Sequence, residues 1–250
     1  MKAMILAAGL GTRLRPLTDR APKPLLPIAG RPLLHYTLAW IASAGIRQVM
    51  INLHHMGEMI RDAIGDGRGF GLEVSYSEEP DILGTGGGLK RVEGFFADGP
   101  FLVVNADILT TVDPRAVIAA HAAHRGLATL VVREDPDVAA YGAIGLDPEG
   151  QIRRFLGRGT WTGPALQDVM FTGIHVVDPR VLRDVPAGVF SPITDAYIAE
   201  VERGEPLFGY RTDAFWIDIG TPERYAAADR AAAEGVIPPP AFAPAHPARR

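Results

Sequence analysis

Apolar runs alternating with helix-like stretches constrain this chain more than any other feature. AMILAA, QVMINL, LEVSYS and FLVVNAD are short, and LLHYTLAWIASAG, GEMIRDAIGDG and GGLKRVEGFF lie among them. Short apolar runs of this kind suit strands of a parallel sheet buried on both faces, and the stretches between them supply the crossovers. The expectation is an α/β chain with a largely parallel sheet covered by helices. In such sheets ligands lie beyond the carboxyl ends of the strands, which gathers Gly9, the Asn52–His54 region and Asp107 on one edge. The second half is less regular. LATLVV, YGAIGL, QIRRFL and FTGIHVV read as strands and PEGQ as a hairpin turn, so antiparallel additions are expected there, building a lid or an acceptor side. ERYAAADRAAAEG reads as a final amphipathic helix, and the closing IPPPAFAPAHPARR is proline-rich and extended. No internal repeat is visible.

Composition narrows the function. With 250 residues, 47% hydrophobic and 22% charged, the chain can bury a full core as one large domain or two intimate ones. A net charge of −4 gives no global positive field, so nucleic acid is not an expected partner. The absence of cysteine excludes a disulfide scaffold, a cysteine nucleophile and thiolate metal sites. MKAMILAAG resembles a signal segment only superficially, and no later run approaches the ~18 apolar residues of a membrane span. A cytoplasmic protein without a membrane partner is expected.

Gly9-Leu10-Gly11-Thr12-Arg13 follows the first buried-type strand. Glycine there lets backbone amides approach an anion closely, and a tight turn that merely packs a helix is the plainer alternative. A dinucleotide fingerprint would need a third glycine where Leu14 stands, and a P-loop would need Gly-Lys-Ser/Thr where Gly11-Thr12-Arg13 stands. Both patterns fail. The nearby charge favours phosphate: Arg13 offers a fork of donors, and Lys23 is a compact cation whose backbone is restricted by Pro22 and Pro24.

These residues carry a resemblance. Leu6-Ala7-Ala8-Gly9-Leu10-Gly11-Thr12-Arg13-Leu14-Arg15-Pro16, then Pro22-Lys23-Pro24-Leu25-Leu26-Pro27-Ile28-Ala29-Gly30-Arg31-Pro32, resembles the opening of the sugar-1-phosphate nucleotidylyltransferases. Leu83-Gly84-Thr85-Gly86-Gly87-Gly88, Asn105-Ala106-Asp107, Tyr141-Gly142, Phe171-Thr172-Gly173-Ile174 and Trp216-Ile217-Asp218-Ile219-Gly220-Thr221 follow in the family's order. The resemblance implies a Rossmann-like three-layer α/β/α sandwich that, with Mg2+, joins a nucleoside triphosphate to a sugar 1-phosphate and releases pyrophosphate. It implies a nucleotidylyltransferase domain over 1–235, with a nucleotide-binding half at 1–110 and a sugar-phosphate half at 111–235. A proline-rich tail at 236–250 lies outside it. Monomers or small homo-oligomers are expected.

By the same resemblance Arg13, Lys23, Asp107 and Asp218 are catalytic, and Asp107 and Asp218 hold the metal. Each aspartate alone could equally be a turn or a helix cap. Leu6, Ala7, Ala8, Gly9, Gly11, Thr12, Glu79, Gly84, Gly86, Gly87 and Asn105 are assigned to the nucleotide. Glu79 is placed to accept from a ring N–H, which favours UTP, dTTP or GTP over ATP or CTP. The Gly86–Gly88 run lies against the base in this reading and is an idle flexible loop in the plainer one. Tyr141, Gly142, Arg158, Thr172 and Gly173 are assigned to the sugar phosphate. The chain departs from the family there: Phe155-Leu156-Gly157-Arg158-Gly159 stands where many members have Glu-Lys-Pro, so Arg158 replaces the lysine and the glutamate is missing. This departure and the Thr-Gly-Gly-Gly run most resemble short enzymes that uridylylate N-acetylmuramate 1-phosphate, followed by mannose and heptose 1-phosphate guanylyltransferases.

Other residues read as structural. His54 and His55 fit a loop, His121 and His124 a solvated helix face, and Trp216 core packing rather than a sugar stack. A non-catalytic homologue that binds nucleotide or sugar is the alternative from another class. The joint presence of both aspartates with Arg13 and Lys23 favours catalysis.

Overall fold

The computed structural model describes residues 1–136 and 138–240. In chain order come β1 (Ala3–Leu6), β2 (Pro27–Ile28), β3 (Arg31–Pro32), α1 (Leu33–Ser43), β4 (Gln48–Leu53), α2 (Gly57–Ile64), β5 (Glu73–Glu78) and α3 (Gly84–Arg91). There follow β6 (Phe101–Asn105), β7 (Ile108–Thr110), α4 (Pro114–His124), β8 (Ala128–Arg133), α5 (Val138–Tyr141), β9 (Ala143–Leu146) and β10 (Ile152–Phe155). Last come β11 (Gln167–Val177), α6 (Ile193–Glu202), β12 (Leu207–Arg211), β13 (Trp216–Asp218) and α7 (Pro222–Ala233). The mixed α/β class is as expected.

Contacts divide the chain into two units whose segments interleave: residues 2–81, 105–114 and those from Phe215 on form one, and 82–104 with 115–214 form the other. Contacts thus group the final strand and helix with the N-terminal segment.

In the first unit β1, β4 and β5 are parallel, with Ile5 opposite Ile51 and Ile51 opposite Tyr76. Near-continuous apolar sequence makes this possible, because every residue of β1 except Leu6 and every residue of β4 except Gln48 is buried. A second core lies under the glycine-rich opening. Leu14, Leu26, Ile28, Leu33, Tyr36, Leu109, Ile219, Ala228 and Ile237 pack there, joining the opening loops to α1, β7 and α7. Full burial of one such leucine or isoleucine contributes about 1.5–3 kcal/mol. Ile237 belongs to the stretch expected to form the tail, and it is core; residues 241–250 of that stretch lie outside the described residues.

The second unit is built around β11, which is antiparallel to β6, β8 and β9, while β10 pairs antiparallel with β9 and β12 runs parallel to β8. These are the expected antiparallel additions. β11 is longer than FTGIHVV because Gln167–Met170 pair with β9. Its register against β8 shifts between Phe171 and His175, and Gly173 at φ 78 absorbs the irregularity. The helix α6 has no counterpart in the sequence reading. Ile193, Tyr197 and Val201 form its buried stripe, at a spacing too short a run made hard to tell from loop.

The solvated face expected for His121 and His124 forms only in part, with His124 exposed and His121 covered. His121 is buried with Nδ1 3.0 Å from Thr129 Oγ1, and burial lowers its pKa against a weaker upward pull from Asp178. His124 stacks on Phe208 with centroids 4.3 Å apart. Thr129 lies on β8, directly after the helix, and Phe208 on the distant β12, and sequence spacing on the helix alone reveals neither.

Candidate active site

Asp107 and Asp218 are brought together by backbone pairing. β13 lies antiparallel to β7 with Asp218 opposite Ile108, and the Ile219 amide donates to the Asp107 carbonyl at 2.9 Å. Asp107 precedes β7 directly, and the Ala106 amide donates to the Leu6 carbonyl at 3.0 Å, so this turn is tied to the end of β1. Asn105 ends β6 beside it.

The opening loop folds back on itself. Gly11, at φ 65, leaves its carbonyl to accept from the Leu14 amide at 3.0 Å and from the Thr18 hydroxyl at 2.9 Å. A Cβ on Gly11 would stand 3.0 Å from Thr18 Cγ2, so this glycine answers both a backbone conformation and a close approach. Gly9 differs: a Cβ there would meet nothing within 4 Å, and Gly9, Thr12 and Arg13 are exposed. Lys23 starts a single 3-10 turn after the extended Pro22, and its Nζ donates to Asp107 Oδ2 at 2.6 Å with the side chain 13% exposed. Its partner in the structure is a carboxylate.

Arg13 approaches from the other side. The point where a Cβ on Gly220 would sit is 3.1 Å from Asp218 Oδ2 and 3.3 Å from the Arg13 guanidinium. Burial raises the Asp218 pKa, the Asp107 charge raises it further, and Lys23 and Arg13 oppose the shift. Arg13, Lys23, Asp107 and Asp218 therefore form one electrostatic cluster within the first unit.

A buried polar chain supports the end of β1. Asn52 Oδ1 accepts from the Ala7 amide at 2.7 Å, and Asn52 Nδ2 donates to Glu79 Oε1 at 2.8 Å. Glu79 is 2% exposed, its amide donates to the Leu53 carbonyl, and its own carbonyl lies 2.7 Å from His54 Nδ1. Glu79 Oε1 is thus engaged by a protein amide, and the Ala7 N–H by a side chain. Assignment by motif passed over Asn52, which ties Ala7 to Glu79; the signal for it is a buried polar residue near the end of an apolar strand. Ala8 is buried beside Ala7, and Leu6 is the last residue of β1.

In the second unit, the glycines of α3 have a packing reason. A Cβ on Gly84 or Gly86 would stand 2.9 Å from the Ser191 carbonyl, and one on Gly87 would stand 2.7 Å from the Val189 carbonyl. The Gly86 and Gly87 amides both donate to Ser191 O, and the Ile193 amide donates to Thr85 Oγ1. The run is a helix held tightly against a loop rather than an idle flexible segment. Among the sugar-side residues, Tyr141 is exposed at the end of α5, and Gly142 follows at φ 89. Thr172 is buried and donates its hydroxyl to the Val131 carbonyl at 2.8 Å. Leu156 and Gly157, at φ 49 and 78, form a two-residue hairpin turn closed by Phe155 and Arg158. Arg158 is exposed and paired with Glu202 at 2.7 Å.

The donor set fits a hard divalent cation. Two carboxylates converge, and Asp218 Oδ1 is a buried oxygen that takes no directed hydrogen bond. Arg224 Nε stands 2.5 Å from that oxygen, yet its N–H is aimed at the Asp218 carbonyl 3.0 Å away. Among the described residues no group of three or more His, Cys, Asp or Glu gathers for a metal. Magnesium commonly takes one or two carboxylates and completes its shell with waters and substrate phosphates. Trp216 is half-buried with the Arg224 guanidinium carbon 5.5 Å from its ring centroid.

The first unit thus gathers a glycine-rich loop after a first parallel strand, two cations on the turns that follow it, and two carboxylates. Residues 2–235 match the nucleotidyl transferase family, and the chain belongs to it. The N-acetylmuramate alpha-1-phosphate uridylyltransferase of Neisseria meningitidis is 35% identical over 224 residues, covering 88% of this chain and 94% of that protein. The mannose-1-phosphate guanylyltransferase of Mycobacterium tuberculosis is 34% identical over 242 residues, with 96% of this chain and 67% of the relative covered. The UTP–glucose-1-phosphate uridylyltransferase of Synechocystis is 34% identical over 238 residues, covering 88% of this chain, which spans only 60% of that relative's length. A UTP-bound UGPase structure from Acinetobacter baumannii shares the fold, with a TM-score of 0.77 at 20% identity over 92% of each chain. The Rossmann-like expectation agrees with this likeness. No helix among the described residues is long and apolar enough to cross a membrane.

Proposed function

We propose that this chain transfers a nucleoside monophosphate from a triphosphate to a sugar 1-phosphate, releasing pyrophosphate. The observation that carries the reading is the cluster of Lys23 on Asp107 with Arg13 and Asp218 beside them. The attacking phosphate oxygen is already an anion near neutral pH, so the protein supplies position and charge neutralisation instead of a base. Two phosphate charges ~4 Å apart repel by roughly 4 kcal/mol at an effective dielectric of 20. Lys23 is assigned to the reacting phosphates and Arg13 to the leaving pyrophosphate, with the exposed backbone from Gly9 to Thr12 receiving phosphate oxygens. Asp107 and Asp218 are assigned to Mg2+, which when bound offsets the charge on the triphosphate.

UTP with N-acetylmuramate 1-phosphate or a related hexose 1-phosphate is the substrate pair we favour, supported by the Neisseria relative and its near-complete overlap. The mannose-1-phosphate guanylyltransferase relative, matching 96% of this chain, supports GTP with mannose or heptose 1-phosphate as the second reading. Gly84, Gly86, Gly87, Glu79 and Asn105 stay assigned to the nucleotide, Glu79 acting with Asn52. Tyr141, Gly142, Gly173 and Arg158 stay assigned to the sugar phosphate, Arg158 by exchanging Glu202 for phosphate, and Thr172 fixes the strand that carries Gly173. The test is product analysis by mass spectrometry with five nucleoside triphosphates against a panel of sugar 1-phosphates. A single UDP-, dTDP- or GDP-sugar is expected; an ADP- or CDP-sugar as main product would contradict the base assignment.

A further inference from the structure

A cation in the first turn of a helix is placed against the helix dipole, so its presence asks for a reason. Arg224 stands in the first turn of α7. Thr221 caps that helix, its hydroxyl accepting from the Arg224 amide at 3.3 Å, and Pro222 and Glu223 lie between. Position N3 commonly carries a Glu or Gln that reaches back to the cap. Here an arginine reaches back further. Its Nε donates to the Asp218 carbonyl at 3.0 Å and lies 2.5 Å from Asp218 Oδ1, while its guanidinium stands over Trp216. The arginine spans the backbone and the side chain of one residue, and the indole limits where its plane can go.

We propose that Arg224 is a positioning residue that fixes the carboxylate of Asp218 in the orientation the metal requires. This rests on the reading of Asp218 as a metal ligand. The Asp218 Oδ2 side faces Gly220 and Arg13, where no Cβ intrudes, and Arg224 flanks the Oδ1 side. With the guanidinium removed, the carboxylate keeps its backbone place on β13 but loses the ion pair beside Oδ1 that restricts its side-chain angle. Ligands to a metal are generally held by such outer partners, whose loss weakens metal affinity about 10–100-fold.

The test titrates Mn2+ into the full chain without nucleotide and follows free Mn2+ by electron paramagnetic resonance, for the parent, Arg224→Ala, Arg224→Lys and Asp218→Asn. Arg224→Ala is expected to weaken Mn2+ binding at least tenfold, and Arg224→Lys to recover part of the loss, because lysine restores charge without the planar fork. Thermal melts of the same samples are expected to stay within a few degrees of the parent, and Arg224→Gln replaces the alanine variant if that one melts early. Arg224 variants that bind Mn2+ within twofold of the parent, while Asp218→Asn loses it, would overturn the positioning role and leave the Asp218 assignment standing. Asp218→Asn binding like the parent would remove the ligand assignment, and this proposal with it.

Discussion

Lys23 Nζ donates to Asp107 Oδ2 at 2.6 Å although 84 residues separate them, and both side chains are largely covered. For a pair this covered, the desolvation of both charges offsets much of their attraction, so its net contribution to stability is small. In the proposed reaction the pair holds a cation and an anion where phosphates react. Lys23→Met leaves Asp107 without this counterion, so it is expected to lower the melting temperature by a few degrees and turnover by about 10²–10³-fold, the usual cost of removing one transition-state charge partner. Steady-state pyrophosphate release beside a thermal melt checks both halves of the statement.

Asn52 joins the end of β1 to Glu79, so its removal leaves two buried polar groups without their partner. Asn52→Leu is expected to cost about 1–3 kcal/mol in urea unfolding. It is also expected to weaken nucleotide binding, because the Ala7 amide that fixes the start of the phosphate loop is released. Unfolding that shifts with no change in nucleotide affinity would confine Asn52 to the fold.

The α3 glycines are held against residues 189–193, which gives a different kind of prediction. Gly87→Ala would place a methyl 2.7 Å from the Val189 carbonyl, well inside contact distance. A loss of about 1–3 kcal/mol is expected from this overpacking. Gly9→Ala, whose Cβ meets nothing, is expected to leave stability within ~0.5 kcal/mol. Parallel denaturant curves for the two variants provide the comparison.

His175 is fully buried with Nδ1 against the Tyr197 hydroxyl, and burial pushes its pKa down to about 3. An unfolded histidine titrates near 6.5, so between these values the unfolded chain binds the extra proton and stability rises with pH. The histidine's contribution is complete above about pH 6.5 and falls as the pH drops toward 3, by up to about 1.4 kcal/mol per pH unit. His175→Gln, which keeps a hydrogen-bonding partner for Tyr197 without a titrating ring, is expected to flatten that slope. Urea midpoints at pH 6.5 and 4.5 for parent and variant measure it.

The strands of the first unit were legible in sequence because burial on both faces writes an uninterrupted apolar run, as in QVMINL. The signature residues were legible because glycine and proline restrict the backbone in ways that few sequences satisfy, which is how Lys23 could be seen as aimed. Partners far apart in sequence were not legible. Neither the carboxylate in front of Lys23, nor Phe208 against His124, nor the loop that fills the space over Gly86 leaves a local trace. The α6 helix was missed for a similar reason: its buried stripe of Ile193, Tyr197 and Val201 is sparse and follows a proline, so local pattern alone does not separate it from loop. Arg224 shows the limit most clearly, because a cation in a first helical turn is an anomaly in sequence and becomes an explanation only beside Asp218.

The most direct test of the account is pyrophosphate release in the presence of Mg2+, measured for the parent, Asp107→Asn and Asp218→Asn against the panel of triphosphates and sugar 1-phosphates. The account predicts release that needs one specific pair and falls by at least about 10²-fold in each variant. Saturable nucleotide binding with no release from any pair, or release that survives both substitutions, would contradict it.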